Sequence, residues 1–293
     1  MIADEINRRN RTGASPGLMS TADFNRLSKY IHETCGIKLT AEKKVMIESR
    51  LGKRVKELNL DDYHDYCNYV LDGSPDKEEL RHMIDVVTTN KTDFFREPAH
   101  FQFLTSRALP ELRQMRGVGE GKPLRVWSAG CSTGEEPYTL AMVLSEYALQ
   151  NRPFRFEIMA TDISVRVLQS AKLAIYDIER VAPVPDAMKR KYLLKSRDNS
   201  KKVVRIVPEL RELVQFRHLN FMDADFGIRE PLDMIFCRNV IIYFDRETQE
   251  RLLRKFCSHL APGGYVYMGH SETLNGMNLP LTSVAPTTYR KKI

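Results

Sequence analysis

The sequence has 293 residues, enough for one large domain or two ordinary ones, and its 42% hydrophobic and 28% charged content is typical of a soluble globular protein. No apolar run approaches the ~20 residues of a membrane span, so direct membrane insertion is not expected. The net charge of +7 indicates either an acidic partner (nucleic acid, an anionic surface or an acidic protein) or simply a basic, solvated surface.

The cysteines and the first residues predict the compartment. The five cysteines are scattered, form no CxxC pair and leave an odd one, which is typical of reduced thiols. We therefore expect no zinc site and no other metal. The first residues lack the charged-then-apolar layout of a signal peptide, so a cytoplasmic location is predicted.

The region before residue 90 shows helical periodicity without a strand signal. Residues 1–18 are rich in Asn, Arg, Gly, Ser and Pro and have little to bury, which predicts a mobile tail. Apolar residues at helical spacing then predict four helices, beginning near Thr21, Thr40, Leu60 and Asp76. Residues 19–90 are therefore expected to form an all-helical domain.

The second predicted helix is strongly basic. Its cationic residues are Lys43, Lys44, Arg50, Lys53, Arg54 and Lys56. This pattern fits a solvated cationic face, and it equally fits a docking surface for an acidic helix or a nucleic acid backbone.

Strands alternate with helices from residue 91 to residue 293, which predicts an α/β fold with a doubly wound sheet. Predicted strands end near Trp127, Asp162, Cys237 and Gly269, and a last strand over 287–290 can be antiparallel. The rhythm breaks between Tyr176 and Phe221, where a short helix and two strands, 203–207 and 213–216, predict a small inserted β-subdomain over about 185–217.

The turn from Gly130 to Gly134 follows a predicted buried strand and precedes a helix. Glycines at a strand–turn–helix junction let the backbone approach a ligand closely, although a tight connection without a ligand has the same pattern. The turn carries neither the G-x-x-x-x-G-K-[ST] pattern nor a full G-x-G-x-x-G, so a nucleoside triphosphate or NAD is not indicated.

Polar residues lie at the predicted carboxyl ends of the strands, where doubly wound folds bind ligands. Asp162 can accept hydrogen bonds from two ribose hydroxyls or can cap the next helix. Asn220 and Phe221 can frame an adenine, or Phe221 can pack in the core. Glu135 and Glu136 would repel a phosphate and attract an amine or a sulfonium, which favours S-adenosyl-L-methionine as the ligand.

Four stretches together resemble the CheR family of chemotaxis receptor glutamate methyltransferases. They are Thr89–Glu97 (TNKTDFFRE), Val126–Tyr138 (VWSAGCSTGEEPY), Phe236–Asp245 (FCRNVIIYFD) and Gly269–Glu272 (GHSE). The resemblance runs from about Thr21 to Tyr289 in the family's order. It implies an all-α N-terminal domain, a Rossmann-like S-adenosylmethionine-dependent methyltransferase domain and a small inserted antiparallel β-subdomain.

The resemblance also implies site residues. The cofactor contacts carried over are Asn90, Thr92, Arg96, Glu136, Asp162, Asn220, Phe221, Arg238 and Asn239. Physical reasoning leaves open whether Glu135 or Glu136 takes the cofactor's amino group, and the family pattern favours Glu136. By resemblance, Arg96 and Tyr243 lie nearest the transferred methyl group as the catalytic residues.

The implied acceptor is a receptor glutamate, which gives a methyl ester and S-adenosyl-L-homocysteine. A carboxylate with an unperturbed pKa of ~4.3 is ionised at pH 7 and needs no general base, so proximity and in-line orientation would carry the catalysis. By resemblance, the basic helix with Arg50, Lys53 and Arg54 faces the receptor's acidic methylation helices. The β-subdomain of some members docks a receptor C-terminal peptide, but the segment 195–202 lacks the glycines of those members, which argues against this tether.

Three alternatives remain open beside this function. A nucleic acid methyltransferase suits the basic charge, but such enzymes usually carry an Asn/Asp-Pro-Pro-aromatic loop where this chain has Arg238–Ile241, and Cys237 does not follow a proline. A non-catalytic S-adenosylmethionine-binding signalling module and a small-molecule O-methyltransferase are the others. We expect a monomer.

Overall fold

A computed structural model of the chain describes residues 16–73, 77–198 and 200–293. Most of the predicted tail, residues 1–15, lies outside the described residues. The chain divides into two compact units, one ending at Thr89 and the other running from Asn90 to Ile293. Within the described ranges, no helix combines the length and apolar character that a membrane crossing requires.

The named elements of the first unit are all helices or helical turns among the residues that the structure describes. Its helices are α1 (Thr21–Cys35), α2 (Lys44–Glu57), α3 (Tyr63–Cys67) and α4 (Lys77–Val87), with a 3-10 turn (Ala41–Lys43) before α2 and a π-helical turn (Asn68–Asp72) after α3. The Ser20 side chain caps α1 by accepting the N–H of Asp23 at 3.0 Å, and Gly36 ends it with a φ of 73°. Apolar residues of α1 and α2, including Leu27 and Leu51, are buried in the core of this unit.

The second unit alternates helices and strands. Its elements are α5 (Ala99–Phe103), α6 (Leu109–Arg116), β1 (Leu124–Ala129), α7 (Glu135–Gln150), β2 (Phe156–Asp162), α8 (Val165–Leu173), β3 (Ile175–Asp177), α9 (Asp186–Tyr192), β4 (Leu193–Lys195), β5 (Val203–Ile206), α10 (Pro208–Arg211), β6 (Val214–His218), β7 (Leu232–Cys237), α11 (Arg246–His259), β8 (Leu260–Met268), β9 (Leu281–Ala285) and β10 (Thr288–Lys291). A π-helical turn (Leu104–Ala108) joins α5 to α6, and a 3-10 turn (Ile241–Tyr243) follows β7.

Seven strands form one sheet in the order β6–β2–β1–β7–β8–β10–β9. The first five strands are parallel, and β10 runs antiparallel to both β8 and β9. From β1 the chain adds β2 and β6 on one side and later β7 and β8 on the other, so the strand order reverses between β1 and β7. The doubly wound sheet and its antiparallel last strand are therefore confirmed, and the reversal marks the edge where such folds bind ligands.

The central strands β1, β7 and β8 are mostly buried because their residues are largely apolar. All six residues of β7 are buried, as expected for a parallel strand that is covered on both faces. Trp127 of β1 is fully buried, with its ring 4.9 Å from that of Phe256 on α11 and its indole N–H donated to the Thr161 hydroxyl at 2.9 Å. This packing fixes the positions of the strand ends that carry the polar residues.

The inserted subdomain differs from its predicted bounds of about 185–217. Its sheet has the antiparallel order β3–β5–β4 and therefore begins at Ile175, whereas Val214–His218 is β6 of the main sheet and pairs in parallel with β2. The sequence hides β3 because α8 ends at Ala174, which adopts a φ of 54° without the glycine that usually marks a helix end. The strand β6 has the same local apolar pattern as a strand of the insertion, and only its tertiary pairing separates the two.

Gly130, directly after β1, occupies a backbone position with no room for a side chain. Its φ is 83°, and a Cβ atom there would lie 2.5 Å from Cγ2 of Val240 in the loop after β7. We predict that Gly130→Ala lowers the free energy of unfolding by about 2–4 kcal/mol, because backbone strain and overpacking add.

Gly121→Ala is the matched control, since a Cβ atom at that glycine would have no described atom within 4 Å. It should stay within about 0.5 kcal/mol of the parent protein. Urea unfolding followed by the fluorescence of Trp127, the single tryptophan of the chain, measures both variants. Equal stabilities of the two variants would contradict the close approach of the two loops.

Candidate active site

Three loops meet at the carboxyl edge of the sheet, where the strand order reverses. The turn after β1 contacts the end of β2, because Ser132 donates its backbone N–H to Oδ2 of Asp162 at 2.8 Å. The same turn approaches the loop after β7 at Gly130 and Val240. The candidate site thus lies where the topology indicates it.

The carboxylate of Asp162 is held by backbone groups. Its Oδ2 accepts the N–H of Ser132, and its Oδ1 accepts the N–H of Ser164 at 2.9 Å. The cap of α8 is Ser164, whose hydroxyl accepts the N–H of Val167. A carboxylate oxygen accepts more than one hydrogen bond, so Asp162 is fixed in place and can still accept from a ligand.

Arg238 is a buried cation that joins three parts of the site. Its side chain is 2% exposed, its Nε donates to Oε2 of Glu136 at 2.6 Å, and its Nη1 donates to the backbone carbonyl of Arg96 at 2.6 Å. Its guanidinium also lies 5.3 Å from the ring centroid of Phe101. A buried charge needs both an opposite charge and hydrogen bonds, and Arg238 has both. It therefore connects the end of β7 to α7 and to the segment around Arg96.

The two adjacent glutamates of α7 have different surroundings. Glu136 accepts the Ser128 hydroxyl at 2.6 Å on Oε1 and pairs with Arg238 on Oε2. Glu135 is fully buried, accepts the Thr133 hydroxyl at 2.7 Å and lies 2.5 Å from Arg180. Burial raises the pKa of the Glu135 carboxyl, which the Thr133 hydroxyl and the Arg180 charge oppose.

These ion pairs weaken the sequence-based inference that Glu135 and Glu136 repel a phosphate. Glu135 and Glu136 each have an arginine partner, so the four charges balance and a phosphate would be repelled less than the sequence predicts. The carboxylates remain hydrogen-bond acceptors. Glu136 is 8% exposed and Glu135 is not exposed at all, so access for a ligand favours Glu136.

The segment that carries Asn90 and Thr92 lies against the turn after β1. The Ser132 hydroxyl donates to the backbone carbonyl of Asn90 at 3.0 Å, and Arg180 donates to the carbonyl of Thr92 at 3.4 Å. Both predicted residues therefore lie beside the glycine turn, as a shared cofactor site requires.

The backbone on both sides of Arg96 is unusual. Phe95 and Glu97 have φ angles of 53° and 55°, a region that bulky residues rarely adopt. The Arg96 side chain is partly buried and donates to the carbonyl of Lys91 at 3.2 Å. Such a strained backbone persists only where the surrounding structure holds it in place, and it is found most often at functional sites.

Asn239 and Tyr243 lie in the loop that follows β7. Asn239 has a φ of 61°, and its Oδ1 is buried with no hydrogen-bond partner among the described residues. Its backbone N–H donates to Oε2 of Glu272 at 2.8 Å. Tyr243 ends the 3-10 turn and is partly buried, with its N–H donated to the carbonyl of Val240 at 3.2 Å.

Asn220 and Phe221 follow β6, beside the end of β2. Leu219 donates its N–H to the carbonyl of Asp162 at 3.1 Å, which joins this loop to the site. The Asn220 side chain accepts the N–H of Met222 at 3.0 Å and so stabilises a turn. Phe221 packs on the aromatic cluster of Trp127 and α11 but is not fully buried. The Phe221 ring therefore packs in the core on one side and leaves part of its surface exposed.

One group of side chains has the composition of a metal site. Among the described residues, Glu97, His100 and His270 offer ligand atoms within 4.8 Å of one another. Nη1 of Arg238, however, lies 3.4 Å from Nδ1 of His100 and 3.6 Å from Oε2 of Glu97. The Arg238 guanidinium already supplies the positive charge that a metal ion would bring. Glu97 and His100 therefore act as neighbours that hold the Arg238 side chain in position. The absence of a metal stays a prediction.

The residues predicted to dock the substrate lie on α2, and all three have partners inside the helical unit; that of Lys53 is Glu57, one turn further along the same helix, with Nζ 3.5 Å from Oε1. Arg50 donates to two backbone carbonyls, each at 3.0 Å, at the end of α4 and just beyond it. Arg54 donates to the buried Glu79 from Nε at 2.8 Å and from Nη2 at 2.5 Å. The Lys53 side chain is 85% exposed. Lys53 can therefore meet a partner directly, whereas Arg50 and Arg54 stabilise the domain.

Several side chains that build the site were not predicted from the sequence. Glu97 and His100 have the spacing of one helical turn beside a predicted site residue, which could have identified them. Ser132 lies inside the glycine turn and gave no separate signal. Arg180 meets Glu135 across a long stretch of sequence, and no local pattern predicts that contact.

Comparison with known proteins identifies the class first. Residues 90–290 match the family model described as the S-adenosylmethionine-binding domain of CheR methyltransferase, so the second unit is an S-adenosylmethionine-dependent methyltransferase domain. Residues 22–88 match the model of the CheR all-alpha domain. The chain therefore belongs to the CheR methyltransferase family.

Similar curated proteins span nearly the whole chain. A chemotaxis protein methyltransferase of Borreliella burgdorferi is 43% identical over 92% of this chain and 94% of its own length. Chemotaxis protein methyltransferase 2 of Pseudomonas aeruginosa is 39% identical over 91% and 92%, respectively. The Escherichia coli chemotaxis protein methyltransferase is 37% identical over 92% and 91%.

His100 predicts an acid-sensitive stability. Burial, followed by the nearby Arg238 charge, lowers its pKa from 6.5 to about 4. Between these two values the unfolded imidazole binds a proton that the folded one does not, so stability falls as the pH falls through this window and is unaffected above it. We predict that His100 accounts for a loss of about 3 kcal/mol between pH 6.5 and pH 4.

Urea unfolding across this pH range measures the effect. His100→Gln should lose less stability than the parent protein as the pH falls, whereas His218→Gln, at an exposed residue of β6, should follow the parent. Parallel curves for the parent and His100→Gln would contradict the buried, neutral imidazole.

Proposed function

We propose that this protein transfers the methyl group of S-adenosyl-L-methionine to glutamate side chains in the cytoplasmic helices of chemotaxis receptors. The products are glutamate methyl esters and S-adenosyl-L-homocysteine. The observation that carries the proposal is the buried Glu136–Arg238 pair, which holds the backbone of Arg96 beside the crevice in a chain whose relatives are named chemotaxis protein methyltransferases. The crevice then contains both the hydrogen-bond acceptors that the cofactor needs and a cation, Arg96, that can attract an anionic substrate.

The crevice residues fit the cofactor. Asp162, fixed by two backbone N–H groups, suits the ribose hydroxyls, and Glu136 suits the ammonium group. Oδ1 of Asn239 is buried and accepts no hydrogen bond from the residues that the structure describes, which costs about 1–3 kcal/mol unless a ligand supplies a donor. This acceptor is the clearest sign that the site is built around a hydrogen-bonding ligand.

The remaining cofactor residues surround these three. Asn90 and Thr92 lie beside the glycine turn, where their backbone is held by Ser132 and Arg180. Asn220 and Phe221 lie at the same edge of the sheet as Asp162, so we assign them to the adenine. Arg238 contributes indirectly, because it holds Glu136 and the segment of Arg96 in position.

When bound, the cofactor supplies an electrophilic methyl group on a sulfonium. The receptor glutamate is ionised at pH 7, since its ordinary pKa is ~4.3, and therefore needs no base from this protein. We assign Arg96 to attract the anionic acceptor and Tyr243 to orient it. The protein's contribution to the rate is then mainly proximity and alignment. The names of the relatives do not favour a nucleic acid methyltransferase or a non-catalytic module.

Incubation with tritiated S-adenosyl-L-methionine and membranes that carry candidate receptors tests this function. We expect label on receptor protein that mild base releases as methanol, because esters hydrolyse under these conditions. Receptors whose acceptor glutamates are changed to glutamine serve as the substrate control. Label that survives base, or label in RNA, would rule out ester formation.

Docking of the receptor is assigned to the exposed lysines of α2. The side chain of Lys53 is 85% exposed and pairs with the exposed Glu57, and Lys56 is also exposed. Arg50 and Arg54, in contrast, are held by backbone carbonyls and by the buried Glu79 of their own domain. Exposed cations can attract an acidic helix over a Debye length of about 10 Å at moderate salt. Of the residues chosen from the sequence, Lys53 is therefore kept in the test, and Lys56 takes the place of Arg50 and Arg54.

The double variant Lys53→Glu, Lys56→Glu should lower kcat/KM for receptor methylation about fivefold at low salt, because two attractive contacts become repulsive. The difference should shrink at high salt, and calorimetry should give an unchanged affinity for S-adenosyl-L-homocysteine. Lys29→Glu is the control, since that side chain is 77% exposed on α1 of the same unit. An equal effect of both charge reversals would contradict a docking surface on α2.

A further inference from the structure

Glu272, four residues beyond β8, is a buried carboxylate whose partners are backbone N–H groups. It is 3% exposed. Its Oε1 accepts the N–H groups of Val240 and Ile241 at 2.8 and 2.9 Å, and its Oε2 accepts those of Asn239 and Gly269 at 2.8 and 2.6 Å. No ion pair reaches it from the described part of the chain. Its charge is therefore compensated by four peptide dipoles.

Three of these four donors belong to the loop after β7. Asn239, Val240 and Ile241 are consecutive, and their N–H groups turn toward one carboxylate because Asn239 adopts a φ of 61°. Successive N–H groups in such a conformation form an anion-binding concavity. Without Glu272 these donors would be left unsatisfied inside the protein, so the shape of the loop depends on this carboxylate.

The same loop is pressed against the end of β8. A Cβ atom at Gly269 would lie 2.6 Å from Nδ2 and 2.8 Å from the backbone N of Asn239. The carboxamide of Asn239 is thus confined on one side by Gly269, while its backbone is held on the other by Glu272. Both constraints set the direction of its buried Oδ1, which has no hydrogen-bond partner in the described part of the chain.

We propose that Glu272 is a positioning residue that sets the orientation of Asn239 toward the cofactor and of the turn that leads to Tyr243. The inference rests on the cofactor site given above under the proposed function. It adds a requirement for a residue that touches neither the cofactor nor the receptor. Glutamine at this position has nearly the same shape, but its NH₂ group would face two N–H donors whichever way the amide is placed.

Asp233 offers a matched control on β7, the strand that leads into the loop held by Glu272. It is a buried carboxylate near the amino end of β7, where it accepts the N–H of Arg125 at 2.9 Å and pairs with Arg116 at 2.8 Å. Asp233→Asn therefore disturbs a buried carboxylate at the edge of the sheet opposite the candidate site. A loss that follows stability alone should appear in both variants.

The experiment compares Glu272→Gln with Asp233→Asn in the full chain. Calorimetry should show that Glu272→Gln weakens S-adenosyl-L-homocysteine binding at least about tenfold, because two charge-assisted hydrogen bonds are lost, and that Asp233→Asn leaves it unchanged. Amide hydrogen exchange at Asn239, Val240 and Ile241 should accelerate only in Glu272→Gln. If Glu272→Gln does not fold, Glu272→Asp is measured in the same way.

Equal affinities and equal exchange at these three amides in the two variants would overturn the positioning role. Neither measurement uses a receptor. A failure of receptor methylation with normal product binding would therefore count against the proposed function and leave the role of Glu272 standing. Unchanged amide exchange in Glu272→Gln together with intact receptor methylation would count against the role of Glu272 and leave the proposed function standing.

Discussion

The candidate site depends on the buried ion pair between the guanidinium of Arg238 and the carboxylate of Glu136. The guanidinium is almost fully buried, and it is stable there because Glu136, the carbonyl of Arg96 and the ring of Phe101 surround it. Removing any one charge of such a pair leaves the other buried and unpaired, at a cost of about 3–5 kcal/mol. Arg238 consequently ties together three segments that are far apart in the sequence: the helix after β1, the loop after β7 and the strained segment around Arg96.

The site is built from balanced charges and fixed acceptors. Glu135 and Glu136 are neutralised by Arg180 and Arg238, whereas Asp162 and Glu272 are held by backbone N–H groups. The first kind of contact joins distant segments, and the second fixes one oxygen or one loop in a set direction. A carboxylate nucleophile needs no base from the protein, so geometry of this kind is what the proposed reaction requires.

Local patterns predicted the doubly wound sheet, because strand and helix periodicities are properties of neighbouring residues. They also placed Asp162 at the end of a strand and the glycine turn at the start of a helix. They did not predict that β6 pairs with β2, that Arg54 turns inward to Glu79, or that Arg238 meets Glu136 across 102 residues. These contacts are tertiary, and a charged residue has the same local pattern whether it is exposed or paired. The resemblance to a family supplied the site residues that periodicity could not.

A crystal structure with S-adenosyl-L-homocysteine would show whether the product binds where the strand order reverses, in a site organised by Arg238 and Glu136. We expect the product between the carboxyl ends of β1 and β7, with its ribose hydroxyls within hydrogen-bond distance of Asp162 and the Glu136–Arg238 pair intact. Product bound elsewhere, or bound in this crevice with Arg238 separated from Glu136, would contradict this expectation.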